Sequence, residues 1–214
     1  MPSTCTLRTL IGVLTVLALG SVLQPANAQP SRATAIFAGG CFWCIEKDFE
    51  KLPGVLEAES GYTAGKTKQP TYEQTSTGKT GHTEAVRVTY DPTKVSYAQL
   101  VEYFWRHIDP TVKDRQFCDV GTQYRSGIYW QTEAEKKVVA ASLDKLKKSG
   151  RFTAIHTEIA PASTFWLAEA YHQDYYKKNP LRYYYYRKSC GRDARVQQLW
   201  GTPWTRHVRS WLES

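Results

Sequence analysis

The chain contains no internal repeat, no low-complexity segment and no long linker after Pro30, which argues against a repeat architecture. It also lacks an apolar run long enough to cross a bilayer: residues 10–23 give about 14 apolar positions, where a transmembrane helix takes ~20. That short run follows Arg8 and precedes Ala26-Asn27-Ala28, and reads as a secretory leader cleaved after Ala28. Residues 1–28 are then a signal peptide, and residues 29–214 one exported, periplasmic domain with no stable membrane insertion. Cysteine is scarce. Of the five, Cys5 precedes the leader's apolar run, leaving Cys41, Cys44, Cys118 and Cys190 in the domain. Four cysteines in an oxidising compartment allow three pairings, among which the sequence does not choose. Cys41-x-x-Cys44 has no second pair nearby and His156 and His207 stand alone, which argues against zinc.

Charge of one sign is in excess, with 28 Lys and Arg against 20 Asp and Glu for a net +8. The basic residues are scattered along the chain, and in an exported protein they read as a solvated surface rather than a nucleic-acid groove. Strand-like runs fall at residues 34–38, 54–62, 83–90, 126–130 and 155–159. The third alternates Val86, Val88 and Tyr90 against Ala85, Arg87 and Thr89, as a half-buried strand does. Helix-like runs lie at 45–51, at 97–107 capped by Ser96, at 136–148 behind a Thr132/Glu135 capping box, and at 168–178 before Pro180. Interleaved strands and helices give an α/β or α+β domain. Residues 69–81 read as a long, hydroxyl-rich loop, and the run of four tyrosines at 183–186 as packing over the core with its hydroxyls wet.

Against this background Gly39-Gly40-Cys41-Phe42-Trp43-Cys44 stands out, between the apolar run Ala35-Ile36-Phe37-Ala38 and a helix. A cysteine at a helix start meets free N–H groups and the positive dipole end, where thiol pKa values fall to roughly 3.5–7.5. Phe42 and Trp43 offer an apolar wall beside it, and Cys44 a second thiol to trap an oxidised sulfur. Glu84, in a β-branched strand, is a candidate proton donor if burial raises its pKa; the alternative is a solvent-facing carboxylate paired with Arg87 or Lys79. Tyr72 and Tyr124 sit on Gly/Pro-marked turns and offer hydroxyl donors, while Asp119 reads equally as a turn residue. Glu169 and His172 share a face at i, i+3, but one such pair is a poor metal site. Two rival readings remain: a thioredoxin-like exchanger, disfavoured by the bulky Phe-Trp pair, and a non-catalytic basic domain stapled by two disulfides.

Gly40-Cys41-Phe42-Trp43, Ser60-Gly61-Tyr62, Pro70-Thr71-Tyr72-Glu73, Thr80-Gly81-His82-Thr83-Glu84-Ala85-Val86, Tyr90-Asp91-Pro92 and Gly121-Thr122-Gln123-Tyr124-Arg125-Ser126 occur in order. Together they resemble the peptide methionine sulfoxide reductase A family over residues 33–200. The resemblance implies a two-layer, ferredoxin-like α/β sandwich with long loops and a coil-rich C-terminal segment. It implies reduction of methionine-S-sulfoxide, free or in oxidised proteins, as a repair activity. Cys41 would be the nucleophile, passing through a sulfenic acid, and Glu84 the general acid. Tyr72 and Tyr124 would hydrogen-bond the sulfoxide oxygen, Phe42 and Trp43 would hold the substrate methyl, and Asp119 would support orientation. No metal or bound cofactor is implied; a thioredoxin-like protein is the expected external reductant, and the enzyme a monomer. Two residues remain candidates for resolving the sulfenic acid. Many members carry Gly in place of Cys44 and use a C-terminal cysteine, so Cys190 is favoured over Cys44, with Cys118 structural or incidental.

Overall fold

The computed structural model describes residues 31–201 and Met1. The remainder of the expected leader, Cys5 and His207 lie outside the described residues. Among the described residues no helix is long and apolar enough to cross a membrane.

A mixed sheet of six strands forms the centre: β1 (Ala33–Gly39), β2 (Val55–Thr63), β3 (Thr83–Tyr90), β6 (Ser126–Trp130), β7 (Glu158–Pro161) and β8 (Trp166–Leu167). The order across it is β7-β6-β1-β3-β2-β8, antiparallel except for the parallel β6–β7 pair. A two-residue hairpin, β4 (Arg115–Gln116) and β5 (Asp119–Val120), stands apart.

Strand parity decides what each face does. Ala35 and Phe37 of β1 and Val86, Val88 and Tyr90 of β3 face the main core with α1 (Phe42–Glu50), α3 (Tyr97–Trp105) and α4 (Glu133–Lys148). Phe37 stacks between Phe49 and Phe104 with ring centroids 4.9 and 5.1 Å apart. Each such ring contributes roughly 1.5–3 kcal/mol by its burial. Ile36, Ala38, Ala85 and Tyr129 make a smaller cluster on the opposite face, beneath Phe165.

Ser96 caps α3 in a full box with Gln99. At α4 the expected box is only half formed: Thr132 accepts from the Glu135 N–H, but Glu135 reaches back to the N–H of Gln131, one residue further out. The loop expected at 69–81 contains a one-turn helix, α2 (Tyr72–Ser76), closed by a Thr71/Gln74 capping box.

The C-terminal segment departs most from expectation. The helix expected at 168–178 reduces to α5 (Tyr175–Lys178), because Asp174 takes φ +55° and its N–H donates to the buried Glu46 carboxylate at 2.6 Å. Beyond it the expected coil is replaced by α6 (Pro180–Ser189) and α7 (Arg192–Trp200), separated by Gly191 at φ +68°. Proline at the first helical position and a left-handed glycine at the break are the sequence signals of this arrangement.

Candidate active site

Gly40 adopts φ +82°, and a Cβ there would lie 2.5 Å from the Gln116 Cβ. The positive φ turns the chain from β1 into α1, and Gln116 of the hairpin, rather than a ligand, fills the space against it. Cys41 is the N-cap of α1, with Phe42 as its first helical residue. Cys41 and Cys44 are free thiols, both buried.

Cys41, Phe42, Trp43, Tyr72, Glu84, Asp119 and Tyr124 line one small cleft, together with Tyr186. Glu84 shares parity with Val86 and Val88, which carries it under the start of α1, where it is 3 % exposed. Its Oε2 accepts the Phe42 N–H at 3.0 Å. Arg87, its alternative partner, pairs instead with Glu59 at 2.7 Å. Burial pushes the Glu84 carboxyl up to about 8, against the lowering effect of the Phe42 N–H, so the group is protonated at neutral pH.

The two predicted tyrosines are held by different devices. Tyr72 begins α2, and its N–H donates to Glu169 Oε1 at 2.8 Å, while Glu169 Oε2 accepts from the Tyr62 hydroxyl at 2.8 Å. Tyr124 ends a 3-10 turn, Thr122–Tyr124, whose carbonyl neighbours at Gln123 and Arg125 both lie 3.1 Å from the Thr83 hydroxyl and share its one proton. Thr83 therefore holds Tyr124 beside Glu84. Burial raises the pKa of both phenols, keeping them as hydroxyl donors.

Trp43 is fixed on two sides. Its ring stacks on Tyr175 at 3.7 Å and 4°, and its indole N–H donates to His172 Nδ1 at 3.0 Å. Burial lowers the His172 pKa, consistent with a neutral ring accepting at Nδ1. Glu169 and His172 thus act as supports for Tyr72 and Trp43, and lie in a turn rather than on a helix face.

The thiol electrostatics reverse the sequence expectation. Burial pushes the Cys41 thiol well above its usual range, and Cys44, Glu84 and Asp119 push the same way. Cys44 is instead lowered to about 7: the Cys41 thiol donates to it, and Arg192 and Arg187 favour its thiolate against the cost of burial. The helix N-terminus favours charge at Cys41, but full burial outweighs it. Arg187 is itself buried, pairing with Asp48 at 2.9 Å and Asp193 at 2.6 Å.

The resolving candidates differ in state. Cys190 is bonded to Cys118 across 72 residues, whereas Cys44 is reduced. Cys118 is therefore a disulfide partner in this structure. Tyr186 was not expected in the cleft: its hydroxyl donates to Asp119 Oδ2 at 2.6 Å, while Tyr184 and Tyr185 beside it are exposed. Its place one helical turn before Cys190 is legible only once α6 and the disulfide are known.

The family model for peptide methionine sulfoxide reductase matches residues 33–204. MsrA 2 of Caulobacter vibrioides is 47% identical over 194 residues, covering 91% of this chain and 98% of the relative. MsrA of Bacillus licheniformis is 48% identical over 171 residues, covering 79% and 94%. Among solved structures, methionine sulfoxide reductase A of Corynebacterium diphtheriae superposes with a TM-score of 0.64 at 40% identity, covering 75% of this chain and 81% of that one. Mxr1 from Saccharomyces cerevisiae in reduced form also gives 0.64, at 32% identity, covering 70% and 86%. With the family shown by sequence and by fold, the chain belongs to the peptide methionine sulfoxide reductases, oxidoreductases that reduce methionine sulfoxide.

Proposed function

We propose that the chain reduces methionine-S-sulfoxide, free and protein-bound, through a sulfenic acid on Cys41 that an intramolecular disulfide resolves and a thioredoxin-like dithiol recycles. The observation that carries this reading is the buried Glu84 carboxyl, protonated at neutral pH, in the same cleft as the Cys41 thiol and the phenols of Tyr72 and Tyr124. The substrate methyl packs on Phe42 and Trp43, and the sulfoxide oxygen faces Glu84 and the two phenols. Cys41 sulfur attacks the sulfoxide sulfur while Glu84 gives its proton to the oxygen as the S–O bond breaks. The attack forms a Cys41–substrate S–S bond and frees the oxygen at the water level; that oxygen then adds to the Cys41 sulfur as the S–S bond breaks, so methionine leaves with the electron pair and Cys41 carries the oxygen as sulfenic acid. The Cys41 proton restores Glu84.

Cys44 then attacks the sulfenic sulfur, water leaves, and a Cys41–Cys44 disulfide remains. Its pKa of about 7 supports this role, as does the engagement of Cys190 with Cys118. A dithiol donor supplies two electrons and two protons to complete the cycle. Every step so written uses only these side chains and the donor, with no bound metal or organic cofactor. The leader pattern in residues 1–28 supports an exported, periplasmic enzyme repairing oxidised proteins there.

The test is turnover with dithiothreitol and each epimer of a methionine sulfoxide substrate. The S epimer should yield methionine, the R epimer none, and Cys41→Ser should abolish the reaction. Insulin reduction without sulfoxide turnover would favour a disulfide exchanger instead.

A further inference from the structure

Asp119 and Tyr186 reach the cleft from segments far apart in the chain. Asp119 is the first residue of β5, in a hairpin of two-residue strands. Such a hairpin has too few ladder bonds to hold a side chain in place alone. The β4 side is gripped at Gln116, opposite Asp119 in the ladder, whose amide accepts from the Asp109 N–H at 2.9 Å and donates to the Asp109 carbonyl at 2.7 Å. The hairpin's tip is tied elsewhere. Cys118, adjacent to Asp119, is bonded to Cys190, the C-cap of α6. Cys190 in turn donates its N–H to the Tyr186 carbonyl at 2.9 Å.

The covalent link therefore joins the residue next to Asp119 to the residue one turn after Tyr186. Between them runs the 2.6 Å hydrogen bond from the Tyr186 hydroxyl to Asp119. Cys118 is exposed and Cys190 half-buried, so this disulfide meets solvent while the Cys41–Cys44 pair is buried.

We propose that the Cys118–Cys190 disulfide is a positioning clamp for the reductase site. It docks the hairpin on α6 so that Tyr186 aims the Asp119 carboxyl into the cleft, and opening it weakens substrate binding. The proposal rests on the reading of the Cys41 cleft as the site of sulfoxide reduction. With the disulfide open, among the described residues only the hydrogen bond to Tyr186 ties the two-residue strand bearing Asp119 to α6, which Arg187 holds to Asp48, and loss of a well-aimed hydrogen bond to a carboxyl costs roughly tenfold in affinity.

The experiment is a first-turnover measurement, without exogenous reductant, of methionine released from methionine-S-sulfoxide over a range of concentrations. The wild-type chain is compared as isolated, with the clamp closed, and after anaerobic treatment with dithiothreitol and desalting. Dithiothreitol delivers two electrons and two protons, leaving Cys118 and Cys190 as thiols and itself as the cyclic disulfide; the appearance of two further thiols verifies opening. The Cys118→Ser/Cys190→Ser variant is measured alongside, and should it not fold, the reduced wild-type chain carries the test. All comparisons are repeated with Tyr186→Phe, and thermal unfolding is recorded for each.

Opening the clamp should raise the half-saturating sulfoxide concentration about tenfold. In the Tyr186→Phe background, where the hydrogen bond is already gone, it should add less than about twofold. An unchanged half-saturation with a lowered melting temperature makes the disulfide a stability element only and overturns the clamp. Equal losses in both backgrounds overturn it too, since the effect would not pass through Tyr186. Release of no methionine by any form of the chain, the dithiothreitol-treated one included, overturns the reductase reading itself, a result distinct from either.

Discussion

The Phe42 N–H donates to Glu84 Oε2 at 3.0 Å, joining the first helical residue after Cys41 to a carboxyl on β3. One contact thus aligns the nucleophile's helix with the proton donor and leaves the other carboxyl oxygen free for substrate. The carboxyl stays protonated because burial outweighs this single N–H.

The pH dependence follows with its sign. Glu84 titrates at about 8 in the folded chain and near ~4.3 when unfolded. Its proton is present at neutral pH and lost as pH rises through about 8, so kcat for sulfoxide reduction should fall across that range. Its contribution to stability is fully present below ~4.3 and is lost as pH rises through the folded value. Glu84→Gln should therefore lower kcat by roughly 10²–10⁴-fold. The same variant should melt higher than wild type at pH 8.5 and with little difference at pH 4, measured by circular dichroism.

Cys44→Ser should separate the two half-reactions. It should release one equivalent of methionine per chain at near wild-type rate, then fail to turn over with a thioredoxin-like donor. Sustained donor-driven turnover in Cys44→Ser, with loss in Cys190→Ser, would return the resolving role to Cys190.

Trp43→Phe keeps an aromatic wall but removes the donor to His172 Nδ1. A net hydrogen bond is worth roughly 0.5–1.5 kcal/mol, so KM should rise up to about tenfold with kcat changed less. Steady-state kinetics on the S epimer check this, and a kcat loss larger than the KM change would place Trp43 nearer the reacting atoms.

Arg187→Met leaves Asp48 buried without its 2.9 Å partner. Removing one member of a buried pair costs about 3 kcal/mol or more. Urea unfolding should show that loss, and adding Asp48→Asn should recover much of it.

The sequence made the sheet readable where strands alternate or are flanked by turns: residues 83–90 and 126–130 coincide with β3 and β6. Ser96 marked its helix because a cap is a local device. Most of the cleft was also legible, since Cys41, Glu84, Tyr72 and Tyr124 sit in ordered motifs. What stayed hidden depends on distant partners. The 72-residue pairing of Cys118 with Cys190 has no local trace. Nor can a run of four tyrosines reveal which ring turns toward Asp119. The Cys41 thiol departs from its sequence expectation for the same reason: a helix start is visible in sequence, whereas complete burial comes from the whole fold.

If Cys41 takes the oxygen from the sulfoxide, its sulfenic acid can be trapped. Cys44→Ser is mixed with methionine-S-sulfoxide in the presence of dimedone, which captures sulfenic acids, and analysed by peptide mass spectrometry alongside methionine release. Dimedone should label Cys41 in amounts matching the methionine formed, and Cys41→Ser should give neither product. Methionine formed without label on Cys41, or formed by Cys41→Ser, would contradict it.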